Sequence, residues 1–179
     1  PFHPHWGFPQ LAEMIFLEGL LLGGTVIPFL MNYFFIFFGV LACAQVLERV
    51  NGKYNIWIIS LSASVPALLA IQSGYLKVES LLFFYTALIF IVLKKALFNG
   101  KSKKAWMLLS IFLGLILSIK YISIFFIISF IAPIYLFRKK IGITWKKIFL
   151  LLAIIFVIFS PWMVKNYIFY ESPLYPLMS

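Results

Sequence analysis

Apolar runs broken by short polar stretches set the pattern of this chain of 179 residues. The run at 11–22 holds Glu13 and Glu18 and closes on Gly23-Gly24. It is about 12 residues long, whereas a helix needs about 20 to cross a bilayer. The pattern therefore predicts a helix lying in the interface, ended by the glycine pair. Residues 28–46, rich in Phe, predict the first span, and residues 56–71 the second, kinked at Pro66. Residues 81–93 extend a third span. The runs at 106–118 and 122–137 would make one helix of roughly 30 residues, too long for a bilayer, so a turn is placed at Lys120. Residues 148–164 form the sixth span. The expected fold class is all-α: a polytopic transmembrane helical protein with about six spans plus one interfacial helix.

Composition agrees. The chain is 64% hydrophobic and 11% charged, with a mean hydropathy of +1.05. Soluble domains carry about 25% charged residues, and so few charges cannot cover a water-facing surface. The net charge of +10 would point to nucleic acid in a soluble protein. Here the basic residues gather in short loops, so no nucleic-acid partner is expected. Cys43, the single cysteine, lies in an apolar run and is read as packing.

Charge then sorts the loops. If the chain crosses once per span, the loops at 48–53, 94–104 and 138–147 share one side. They hold Arg49 and Lys53, then Lys94, Lys95, Lys101, Lys103 and Lys104, then Arg138, Lys139, Lys140, Lys146 and Lys147. Only Lys77, Lys120 and Lys165 fall on the other side. The acids Glu13, Glu18, Glu79 and Glu171 join them there, leaving Glu48 with the basic loops. The positive-inside rule makes the basic side cytoplasmic. The protein is thus expected in the plasma or inner membrane, with membrane lipid as a partner.

Candidate chemistry lies on the sparse outer face. The polar turn 72–79 holds Tyr75, Lys77 and Glu79. Ionisable groups at membrane depth are functional candidates by default. Lysine offers a compact charge to a phosphate oxygen, and an acid nearby can act as general base. Lys77, Lys120 and Lys165 are therefore candidate phosphate contacts, and Glu79 is the candidate catalytic acid. Tyr75, Tyr121 and Trp162 are candidate sugar contacts, with Asn166 beside Lys165. The plainer reading has Lys77 and Glu79 capping helices and Lys120 and Lys165 snorkelling to headgroups. His3 and His5 sit in a Pro-rich opening without a clear third ligand, so they are read as interfacial substrate contacts rather than a metal site. No cofactor is expected, with a divalent metal left open. No P-loop, GxGxxG or CxxC pattern occurs.

Four segments carry a resemblance. They are Phe8-Pro9-Gln10-Leu11-Ala12-Glu13-Met14, Val46-Leu47-Glu48-Arg49-Val50, and Gly114-Leu115-Ile116-Leu117-Ser118-Ile119-Lys120-Tyr121. The fourth is Ser160-Pro161-Trp162-Met163-Val164-Lys165-Asn166 with Ser172-Pro173-Leu174-Tyr175-Pro176. In that order they resemble the GT-C membrane glycosyltransferases, which include the family 39 protein O-mannosyltransferases and the lipid A aminoarabinose transferases. Ser172 stands where that family's pattern has Asn. The resemblance implies an inverting transferase with its site on the extracytoplasmic face. It would use a polyprenyl-phosphate sugar donor and a glycan, lipid or protein acceptor. It also implies a principal catalytic Asp upstream of Pro1, so that residues 1–179 form a single, incomplete transmembrane domain, inactive alone. A second family acid, in a Tyr-x-Asp context, corresponds here to Glu79, with Lys77 two residues earlier as a departure. Different classes also fit a polytopic chain: a transporter or a lipid or polysaccharide flippase without glycosyl transfer, or a structural polymer-export subunit. The matching halves with broken helices typical of transporters are not seen.

Overall fold

The structure, a computed structural model, describes residues 7–48, 78–98, 103–136 and 143–177. These are all helical: α1 (Leu11–Gly23), α2 (Val26–Glu48), α3 (Glu79–Phe98), α4 (Lys103–Ile119), α5 (Ser123–Leu136) and α6 (Trp145–Tyr170). The chain divides into two units, Ala12–Ile91 and Pro1–Leu11 with Val92–Ser179. Helix α3 passes from the first to the second. The expected span at 56–71 lies outside the described residues.

By length and composition α2, α3 and α6 can cross a membrane. Their outward surfaces suit lipid and not water: Phe37 is 57% exposed in α2 and Phe149 is 75% exposed in α6. The other two expected spans in described residues are shorter, 17 residues in α4 and 14 in α5. Two buried hydroxyls of α4 bond inside their own helix, as membrane helices favour. Ser110 Oγ donates to Trp106 O at 2.9 Å and Ser118 Oγ to Gly114 O at 3.0 Å.

In the Ala12–Ile91 unit, α1 ends as the glycine pair predicts. Gly24 adopts φ +65°, the left-handed conformation that glycine takes without penalty, and its N–H bonds Leu20 O at 2.9 Å. Helix α2 starts two residues later. A Cβ on Gly19 would stand 2.7 Å from Met31 Sδ, and further from the turn Phe16 and Phe35 face each other at 6.3 Å. Side chains of α1 and α2 thus touch at Gly19 with Met31 and at Phe16 with Phe35. Helix α1, at 13 residues, is not among the helices long enough to cross a membrane. Further along α2, Gly39 makes room for the Phe83 ring, and Phe35 meets Phe84 at 5.8 Å.

In the second unit α4 is the central helix. Two neighbouring rows at i, i+4 spacing are buried: Ala105, Leu109 and Leu113, and Trp106, Ser110 and Gly114. It packs most extensively on α6, whose buried stripe is Ile148, Leu151, Ile155, Phe159 and Asn166. Gly114 lies against Ile158, and seven residues on Tyr121 meets Asn166, so α4 and α6 run parallel. Helix α5 returns between them, and its Tyr135 meets Trp145 at 5.6 Å. The break expected at Lys120 is present, with helix resuming at Ser123. Inside α6, Pro161 has no N–H for Val157 O, and the Ser160 hydroxyl donates to that carbonyl at 2.8 Å.

Helix α6 is 26 residues, or about 39 Å, against a hydrocarbon core of about 30 Å. Lys147 and Lys165 bracket about 27 Å of it, and Lys104 and Lys120 bracket about 24 Å along α4. The short α4 thus covers nearly the same depth as the apolar part of α6.

Candidate functional site

Polar chemistry in the second unit concentrates where α4 and α6 end. Asn166 occupies the last position of the buried stripe of α6 and is 0% exposed. Its Nδ2 lies 2.8 Å from Gly7 O, 3.0 Å from Tyr175 O and 2.9 Å from Tyr121 Oη. Tyr121, 8% exposed, sits in the turn after α4, and its hydroxyl is 3.2 Å from Gly7 O and 3.1 Å from Tyr175 O. The amide brings two hydrogens and the phenol one, against three acceptors, the two carbonyls and the phenol oxygen. The set closes with every hydrogen used. It also fixes the amide's orientation, since reversal would set its oxygen against two carbonyl oxygens.

Rings seal this knot. Tyr121 meets Phe8 at 5.7 Å and the edge of Phe159 at 5.9 Å. Tyr175 stacks on Tyr170 at 4.2 Å, folding the tail back over the end of α6. Glu171 permits that reversal with φ 57°, its N–H closing the helix on Tyr167 O at 3.0 Å. Gly7 admits no side chain, because a Cβ there would run into the Tyr175 ring. Burial pushes the pKa of the Tyr121 phenol up, and the hydrogen bond with Asn166 offsets part of that rise. The phenol therefore stays a neutral donor.

The sequence marks Tyr121 and Asn166 as substrate contacts. The structure spends their donors on main-chain carbonyls of two segments, Gly7 and Tyr175, which are 168 positions apart. Such a pair positions loops. The Asn166 Oδ1 is buried without a protein partner. Lys120 and Lys165 flank the knot in sequence and are half-buried, with Lys165 Nζ 5.1 Å from the centre of the Trp162 ring. Glu79 opens α3 in the other unit, exposed, where an acid suits the positive end of the helix dipole. Tyr75, Lys77, His3 and His5 lie outside the described residues. Among the described residues no three His, Cys, Asp or Glu side chains gather as a metal site.

Sequence reasoning did not single out Gly7, and took Tyr175 only as part of a motif. One readable signal was an asparagine seven residues beyond Phe159 on an otherwise apolar stripe. No family model, curated protein or solved structure matches the chain.

Proposed function

We propose that this chain is part of a membrane glycosyltransferase moving a sugar from a polyprenyl-phosphate donor to an acceptor on the extracytoplasmic side. One observation carries the reading. Three segments singled out by resemblance, around Phe8, Tyr121 and Asn166 through Tyr175, meet in one buried knot. In this reading Tyr121 and Asn166 hold the outer loops in place. Lys120 and Lys165, next to them in sequence, supply positive charge to the donor phosphate from two different helix ends. Glu79 is the candidate acid-base group. The twelve cations of the basic loops then face the cytoplasm.

The test is transfer from a radiolabelled polyprenyl-phosphate sugar in membranes holding the intact protein. Lys120→Ala and Lys165→Ala should each lower turnover by about 10²–10³ while leaving insertion unchanged. Glu79→Gln reads whether the carboxylate matters beyond its shape. Near wild-type turnover in both lysine variants sinks the phosphate grip and returns those residues to snorkelling. Movement of the labelled lipid across the bilayer without sugar transfer favours a transporter.

A further inference from the structure

The opposite end of the second unit carries a different chemistry. Because α4 and α6 are parallel, their first turns lie at the same end, and each opens on a lysine pair, Lys103-Lys104 and Lys146-Lys147. Lys103, Lys104 and Lys146 are exposed and Lys147 is half-buried. Ala105, Trp106 and Ile148, directly next to these pairs, are buried, so the helices remain packed up to their basic ends.

Nothing in the unit balances this charge. Neither helix has an acid in its first turn. Across Pro1–Leu11 and Val92–Ser179 the only acid in the sequence is Glu171, beyond the far end of α6. Helix geometry adds to the excess. Each N-terminus presents roughly +0.5 of a charge, where carboxylates are favoured and lysines are not. Two further features call for an oxygen-rich partner at headgroup depth. The indole N–H of Trp106 is buried without an acceptor, and helical side chains lean toward the N-terminus, which here is the basic end. Trp145, 61% exposed beside Lys146, is the kind of amphipathic ring that settles among headgroups.

We propose that the joined N-terminal ends of α4 and α6 form a binding surface for anionic phospholipid headgroups, one phosphate being shared by lysines of both helices. The chemistry fits a lipid because the pairs sit at the ends of apolar helices, where phosphodiesters are anchored at high local concentration. A phosphate there neutralises both lysine pairs and both helix ends together. The proposal is independent of glycosyl transfer, whose candidate phosphate contacts Lys120 and Lys165 lie at the other end of these helices.

The experiment is native mass spectrometry of the intact protein released from mixed micelles of phosphatidylglycerol and phosphatidylcholine. Wild type should retain phosphatidylglycerol in preference to phosphatidylcholine. K103Q/K104Q and K146Q/K147Q should each lower that preference about 25-fold, since each lysine near an anionic surface contributes roughly five-fold. The corresponding Lys→Arg variants should keep it, which separates lost charge from lost folding. Inorganic phosphate added at millimolar concentration should not displace the lipid. Three results overturn the proposal: no preference in wild type, an unchanged preference in both glutamine variants, or displacement by free phosphate.

Discussion

Asn166 shows how one polar residue can govern distant chain segments. Its amide is the only group in the knot with two hydrogens to give, and it gives them where two carbonyls and a phenol converge. Removing it leaves buried acceptors without donors, at about 1–3 kcal/mol for such a loss. Asn166→Ala should therefore lower the melting temperature of the detergent-solubilised protein. Asn166→Asp is nearly isosteric and should be worse near neutral pH, because an ionised carboxylate only accepts. It would set negative charge against the carbonyls of Gly7 and Tyr175. The gap between the two variants should narrow as pH falls from 7 toward about 4, because burial against carbonyl oxygens raises the folded carboxyl's pKa above its unfolded value and the group regains a proton to donate. An Asp variant that melts with or above the Ala variant at pH 7 would dismiss the donor account. Much of this residue's importance was legible, since the Lys165-Asn166 pair stood out as a motif. Its role was not, because linear sequence does not show which carbonyls a buried amide will meet.

At the scale of elements, the helix pair α4 and α6 depends on Gly114. A Cβ there would lie 2.9 Å from Ile158 Cβ, 3.0 Å from Cγ2 and 3.2 Å from Cδ1. A branched side chain's Cβ is fixed to its backbone, so the helices must separate. Gly114→Ala should destabilise by about 1–3 kcal/mol, the usual range for overpacking. Adding Ile158→Ala removes two of the three close atoms and should recover part of the loss in the same melting experiment. If Gly114→Ala melts like wild type, the close approach of these helices is not what holds them. The sequence legibly predicted the breaks at Gly23-Gly24 and Lys120, because turn chemistry is local. The contact of Phe16 in α1 with Phe35 in α2 was hidden, because apolar length says what a helix can cross and not what it touches. The span expected at 148–164 runs instead from Trp145 to Tyr170, since Tyr167 and Tyr170 extend the helix past the apolar core.

At the scale of the whole molecule, an all-helical membrane architecture was readable from hydropathy, and the parallel run of α4 and α6 agrees with chain alternation in that unit. Charge asymmetry sets the expected side. Single cysteines placed at Lys103 and Lys146, in a Cys43→Ser background, should be labelled by a membrane-impermeant maleimide from the same face. One at Glu171 should be labelled from the opposite face. Labelling of all three from one face would refute the alternation. The knot also has a consequence in time. Its parts leave the ribosome in the order Gly7, Tyr121, Asn166, Tyr175, and the segment before α1 gains its partners only when the last has emerged. During synthesis α1 and α2 therefore emerge with that segment still unfastened. The final turn of the tail, stacking Tyr175 on Tyr170, is the event that locks the beginning of the chain.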